Sequence, residues 1–280
     1  MIQTRQISKC QASTTPSPLA IGHRPKESTN RTTYLVTGAS RGIGEGLVAS
    51  FLGRPDSTVI ACVRNAATQS KALSELPHAE GSSLIVVKLD CAVETDPAAV
   101  VEELQSTHNI RHIDVVVANA AIAGAYGPTS TLPLDAVKEH MQINCYSVLL
   151  LFQATRPLLE QAAPGKAKFV FIGAPISTIT QMEECARAPL GAYGLTKLAA
   201  NYLVRKFHFE NKWLMSFVID PGHVQTDMGD SGARLMGRKE APTTLQQSVD
   251  GIYLLQIDEA TKEESSGQFL LHEDGSRLPW

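Results

Sequence analysis

Short apolar runs alternate along the chain with stretches whose apolar residues recur at helical spacing. The runs Thr32–Thr37, Ser57–Val63, Leu84–Leu89, Ile113–Asn119, Ala167–Ile172, Leu214–Ile219 and Gln268–Leu271 are rich in β-branched residues and predict strands. Between them, Ile43–Leu52, Gln69–Leu76, Pro97–Thr107, Leu134–Gln161, Leu190–Asn211 and Thr243–Ile257 predict helices. Near-continuous apolar strands fit a sheet buried on both faces. Strict alternation with helices requires parallel strands and right-handed crossovers. The expected class is α/β, a doubly wound parallel sheet of about seven strands with helices on both faces.

Residues 1–31 break this pattern. They are rich in Ser, Thr, Gln and Pro, lack apolar periodicity and hold one acid, Glu27. Such a segment buries little surface, so a flexible arm is expected. The scarcity of acids beside Arg5, Lys9, Arg24 and Lys26 is similar to a mitochondrial transit peptide, but no amphipathic helix is evident. From Thr32 to Trp280 the composition does not break, so 32–280 reads as one domain.

Composition narrows the function. The 280 residues are 43% hydrophobic, enough for a real core. The net charge of −3 leaves no basic excess to neutralise phosphates, so no nucleic-acid partner is expected. No apolar run reaches the roughly 18 residues of a membrane span. Five scattered cysteines without a CxxC pair point to a reducing compartment, and a cytoplasmic location is expected. The eight histidines show no ligand spacing, so no metal site is expected.

The first strand runs into Thr37-Gly38-Ala39-Ser40-Arg41-Gly42-Ile43-Gly44, and a helix follows. Gly38 suits the tight turn, Gly42 lets backbone approach a pyrophosphate, and Gly44 lets helix and strand pack closely. The helix N-terminus then meets the anion with free N–H groups. The spacing is GxxxGxG, one residue wider than the usual dinucleotide fingerprint, in the strand–turn–helix context the motif demands. The fold is thus expected to be Rossmann-type, with Ser40, Arg41 and Ile43 completing the cofactor loop. NAD binders place a carboxylate near the end of the second strand. Here the strand ends Cys62-Val63-Arg64-Asn65, and no acid occurs between Asp56 and Glu75. Arg64 and Arg41 are suited to a 2′-phosphate, so the expected cofactor is NADP.

Tyr193 and Lys197, at i and i+4, share one face of a predicted helix. A tyrosine titrates near 10, and a nearby ammonium is expected to bring it toward the working range.

Together these motifs resemble the short-chain dehydrogenase/reductase family over about Thr32 to Trp280. TGASRGIG, Val117-Ala118-Asn119-Ala120-Ala121, Asn144, YGLTK and Pro221-Gly222-His223-Val224-Gln225-Thr226 occur in family order. PLGAYG, FHFEN, PGHVQTDMG and the closing Pro279-Trp280 are similar to sniffer-type carbonyl reductases and fungal norsolorinic acid ketoreductase-like enzymes of polyketide pathways. The resemblance implies that Asp90 contacts adenine, Asn119 lies beside the cofactor, and Asn144 holds a water linking Lys197 to solvent. It also implies that Tyr193 protonates a carbonyl oxygen, and that Val224 and Thr226, after Pro221, bind the carboxamide. The implied activity is NADP-dependent reduction of a ketone on a hydrophobic small molecule in secondary metabolism.

One departure stands out. The family ends its fifth strand in a serine pair, but Gly173 and Ala174 stand here in Phe171-Ile172-Gly173-Ala174-Pro175. Losing a donor to developing oxyanion charge costs roughly 2.7–4 kcal/mol. One expectation is that Ser177, or Thr178, reaches in as the replacement after a loop redirected by Pro175. Loop hydroxyls also commonly bond local backbone. The alternative function is a non-redox cyclase or isomerase that keeps NADP structurally, or a cofactor-binding regulator. Retention of Tyr193, Lys197 and Asn144 favours the oxidoreductase. The segment Asp227–Leu245, with Met228, Leu235, Met236 and several glycines, is expected to form a mobile flap over an apolar substrate. In the family the helices over 134–161 and 190–211 often pair across subunits, so a homodimer or homotetramer is expected.

Overall fold

The computed structural model describes residues 31–280; the expected arm, apart from Arg31, lies outside them. The chain runs β1 (Thr32–Thr37), α1 (Gly42–Leu52), β2 (Ser57–Val63), α2 (Ala66–Ser74), β3 (Ser83–Lys88), α3 (Asp96–Ser106) and β4 (Val115–Ala118). It continues through α4 (Leu134–Met141), a π-helical turn (Gln142–Tyr146), α5 (Ser147–Leu159), β5 (Lys168–Ile172), α6 (Met182–Cys185), α7 (Gly191–Glu210) and β6 (Met215–Asp220). Last come α8 (Asp227–Leu235), α9 (Leu245–Asp250), a π-helical segment (Gly251–Asp258) and β7 (Phe269–Leu271).

The seven strands form one parallel sheet in the order β3-β2-β1-β4-β5-β6-β7. This is the Rossmann-type sheet that the hydrophobic pattern predicts. Alternate residues feed two cores, as the pleat requires. Leu35, Ile60, Phe169 and Phe171 pack with Leu151 and Phe152 of α5 and Ala200, Val204 and Phe207 of α7. On the opposite face, Val36, Val59, Ala61 and Phe217 pack with Leu47, Val48 and Phe51 of α1. All seven residues of β2 are buried, which explains its unbroken apolar run.

The strand order reverses between β1 and β4, opening a crevice beyond their C-terminal ends. Three predicted segments differ in detail. The helix expected over 134–161 is divided by the π turn, and that over 243–257 becomes α9 plus a π-helical segment. The flap expected over 227–245 begins as α8, because Thr226 Oγ1 accepts from Gly229 N at 3.1 Å and caps it.

Candidate active site

A cleft of about 1160 Å³ lies over the C-terminal ends of the strands. Gly38, Ser40, Arg41, Gly42, Ile43, Arg64, Asp90, Asn119, Tyr193, Lys197, Pro221, Val224 and Thr226 all line it. One end is built from backbone. Gly38 and Gly42 adopt φ of +66° and +57°, the left-handed region that glycine enters freely. A Cβ at Gly38 would lie 2.9 Å from Ala120 Cα. Gly44 does not line the cleft. Its role is packing, since a Cβ there would lie 2.3 Å from Gly38 O. No side chain caps α1, so its first N–H groups remain available to an anion.

The end of β2 carries no carboxylate. Asn65 Oδ1 accepts from Thr68 N at 3.3 Å and caps α2. Arg64 lines the cleft with no hydrogen-bonded side-chain partner among the described residues. Arg41 differs, because it pairs with Asp227 at 3.0 Å where both are exposed. Asp90 Oδ1 accepts from Ala92 N at 2.9 Å, fixing the turn after β3. Asn119 joins β4 to the glycine loop, donating from Nδ2 to Thr37 O at 2.9 Å. The cleft, the two left-handed glycines, the uncapped helix and the acid-free β2 end fit a dinucleotide bearing a 2′-phosphate.

The Tyr–Lys pair stands at the start of α7. Lys197 is buried, and its Nζ donates to Ile172 O at 2.7 Å and lies 5.5 Å from the Tyr193 ring centroid. Burial pulls the lysine down to about 7. Tyr193 moves opposite to the expectation from the lysine alone. Burial raises its phenol above the ordinary range, with smaller contributions from Asp220 and Tyr126. Desolvation is the leading cause and keeps the phenol protonated, the form that acts as an acid.

Asn144 sits in the π turn and is fully buried. Its Oδ1 accepts from Ile122 N at 2.8 Å, and its Nδ2 donates to Ile122 O at 2.9 Å and Thr196 Oγ1 at 3.1 Å. Both ends of the amide are therefore engaged. They clamp the segment after β4 to the residue before Lys197.

Ser177 does not reach the cleft. It is 1% exposed, its Oγ donates to Ala174 O at 2.6 Å, and it accepts from Asn201 Nδ2 at 2.8 Å. The tight turn Pro175–Ser177 folds the hydroxyl back on the chain, the local bonding common for loop serines. Thr178 is buried too and does not line the cleft. A side chain at Gly173 is excluded, because its Cβ would lie 2.5 Å from Val218 Cγ1. Ala174 does line the cleft.

The sequence pattern of the short chain dehydrogenase family matches residues 32–234. The chain belongs to this short-chain dehydrogenase family. It is 92% identical over 262 residues to norsolorinic acid ketoreductase nor1 of Dothistroma septosporum, covering 94% of this chain and 97% of that one. It is 62% identical to the norsolorinic acid ketoreductase of Aspergillus parasiticus over 249 residues, 89% of this chain and 91% of that protein. Among solved structures, the NADPH-bound carbonyl reductase from chicken fatty liver matches with a TM-score of 0.76 and 27% identity, covering 89% of this chain and all of that one.

As a short-chain dehydrogenase, the chain has one half of its cleft that departs from sequence expectation. Tyr126, Glu139, Glu184, Arg187 and Gln225 line it as well. Sequence reading passed over Tyr126. Its one local signal is an aromatic residue set between Gly124-Ala125 and Gly127-Pro128 in a loop. The α8 start had a clearer signal, a capping Thr226 with Asp227 and Asp230 in the first turn, hidden by three nearby glycines. One of them, Gly229, is required because a Cβ would lie 1.8 Å from Val224 O.

Proposed function

We propose that the protein is an NADP-dependent ketoreductase that reduces the keto group of norsolorinic acid or a closely related fungal polyketide. The observation that carries this reading is Tyr193 beside the buried Lys197 at the cleft, in a chain 92% identical to a norsolorinic acid ketoreductase. NADPH, when bound, supplies hydride to the carbonyl carbon. Gly38, Ser40, Gly42 and Ile43 at the α1 N-terminus would hold its pyrophosphate, and Arg64, aided by Arg41, its 2′-phosphate. Asp90 and Asn119 would border the adenosine half, and Pro221, Val224 and Thr226 the nicotinamide half. Thr226 reaches it mainly through backbone, since its hydroxyl caps α8.

Tyr193 donates the proton to the carbonyl oxygen, and burial keeps that phenol loaded at neutral pH. Lys197, brought down to about 7, exchanges protons near neutrality and returns charge balance beside the phenolate. Asn144 holds Thr196 and thus the turn that presents Lys197. Apolar side chains, among them Ile176, Leu190, Met228 and Leu235, line the same cleft and suit a hydrophobic ring system.

The functional unit of this reading is residues 32–280. A homodimer or homotetramer is part of the proposal, supported by the exposed Leu195, Tyr202 and Phe209, seven residues apart on one face of α7. A cytoplasmic location is supported by the four free cysteines of the described residues, and no helix among these residues is long and apolar enough to cross a membrane. Incubation with NADPH and norsolorinic acid tests the activity. A product two mass units heavier, formed with matching NADPH loss, supports it. A rearranged product of unchanged mass without NADPH loss supports the cyclase or isomerase alternative instead.

A further inference from the structure

Ketone reduction builds negative charge on one oxygen, and so far only Tyr193 is assigned to meet it. The second hydroxyl usual in the family is missing at Ala174, and Ser177 is bonded away from the cleft. Three other polar side chains of the cleft are committed. His223 Nε2 is 2.7 Å from Gly229 O, Gln225 Nε2 donates to Ala241 O at 3.0 Å, and Lys197 Nζ serves Ile172 O.

Tyr126 is different. It lines the cleft, is 39% exposed, and its hydroxyl has one marginal 3.5 Å contact, to Ala123 O. The backbone on either side is held in unusual conformations. Ala125 adopts φ +51°, which costs a non-glycine residue energy, and Gly127 adopts φ +154°. Gly127 N donates to Pro189 O at 3.2 Å, and Gly127 pairs with Leu190. Leu190 O in turn accepts from Gly194 N at 2.8 Å, in the first turn of α7. The segment presenting Tyr126 is therefore fastened to the turn that presents Tyr193. Charge on Tyr126 also raises the Tyr193 phenol, so the two groups lie within electrostatic reach.

We propose that Tyr126 donates a second hydrogen bond to the substrate carbonyl oxygen, in place of the hydroxyl missing at Ala174. The inference rests on the ketoreductase reading. Tyr126 keeps its proton throughout; the transferred proton comes from Tyr193, and Tyr126 stabilises the oxygen as charge develops. The strained Ala125 turn is the device that aims the phenol into the cleft.

Steady-state kinetics with NADPH and norsolorinic acid test this. Tyr126→Phe should lower kcat about 10²-fold, the loss typical of one oxyanion donor, with NADPH affinity unchanged. Ala174→Ser in the Tyr126→Phe background should recover about tenfold, because it restores a hydroxyl donor at a position that lines the same cleft. A merely structural tyrosine would show no such rescue. A kcat within twofold of the parent, a loss without rescue, or a larger kcat loss in Arg187→Gln overturns the assignment. Tyr193→Phe in the same series separates the two levels. If it too turns over at the parental rate, the ketoreductase reading itself fails. If it is dead while Tyr126→Phe is normal, only the role of Tyr126 falls.

Discussion

The two halves of the cleft are built from different materials. The nucleotide half is mostly backbone: left-handed Gly38 and Gly42, the uncapped start of α1, and Gly44 pressed against Gly38 O. The substrate half is mostly side chains on irregular segments, including the Pro175–Ser177 turn, the short α6 and the Tyr126 loop. Backbone requirements leave a compact sequence signature, because glycine is strongly favoured at those φ values and no side chain fits the close contacts at Gly38 and Gly44. Side chains on loops leave none, because their direction depends on distant partners.

The largest effect should come from violating the backbone half. Gly44→Ala would set a Cβ 2.3 Å from Gly38 O and 2.7 Å from Asn119 Nδ2. Neither backbone nor clamp can retreat cheaply, so a loss of about 3 kcal/mol or more is expected, together with NADPH binding. Thermal unfolding and a fluorescence titration would check it. Next is Lys197→Met, which removes the buried ammonium and its bond to Ile172 O. Turnover with NADPH and norsolorinic acid should fall about 10²–10³-fold while the fold persists, since the methylene stem is retained.

Asp220, the last residue of β6, gives a pH-dependent contrast beside the cleft's own lining. It is 4% exposed, accepts from Gly222 N at 2.9 Å, and burial pushes it up to about 6. Raising an acid's folded value means the charged form is penalised in the native state. Native protein binds the proton more readily than unfolded chain between about 4 and 6, so this group's contribution to stability falls as pH rises through that window. Asp220→Asn keeps an acceptor for Gly222 N without the charge. It should be more stable than the parent at pH 7 by about 2 kcal/mol, with the difference fading below pH 4. Parallel denaturant curves at both pH values would measure it.

Smaller effects should distinguish the two arginines. Arg64→Ala should weaken NADPH binding about tenfold with little change for NADH. Arg41→Ala should cost less, because Arg41 already shares its charge with exposed Asp227. Equal losses in the two variants would erase this distinction.

These contrasts also account for what was legible in the chain. The boundaries of β1 and β2 were readable to the residue, since Thr32–Thr37 and Ser57–Val63 are buried runs closed by turn residues. Tyr193 and Lys197 were readable because i, i+4 spacing fixes a shared helix face. The raised Tyr193 phenol was not, because it follows from burial supplied by other elements. The fate of Ser177 was not legible either. Its partner Asn201 lies a helix away, and only the packing of α7 brings the two together.

The central claim is that Tyr193 is the acid of an NADPH-dependent ketone reduction. The most direct measurement is single-turnover NADPH oxidation by parent and Tyr193→Phe, each saturated with NADPH and mixed with norsolorinic acid. The predicted result is rapid loss of the NADPH absorbance in the parent and a loss at least about 10³-fold slower in the variant, with cofactor affinity equal in both. Equal rates in the two proteins would contradict it.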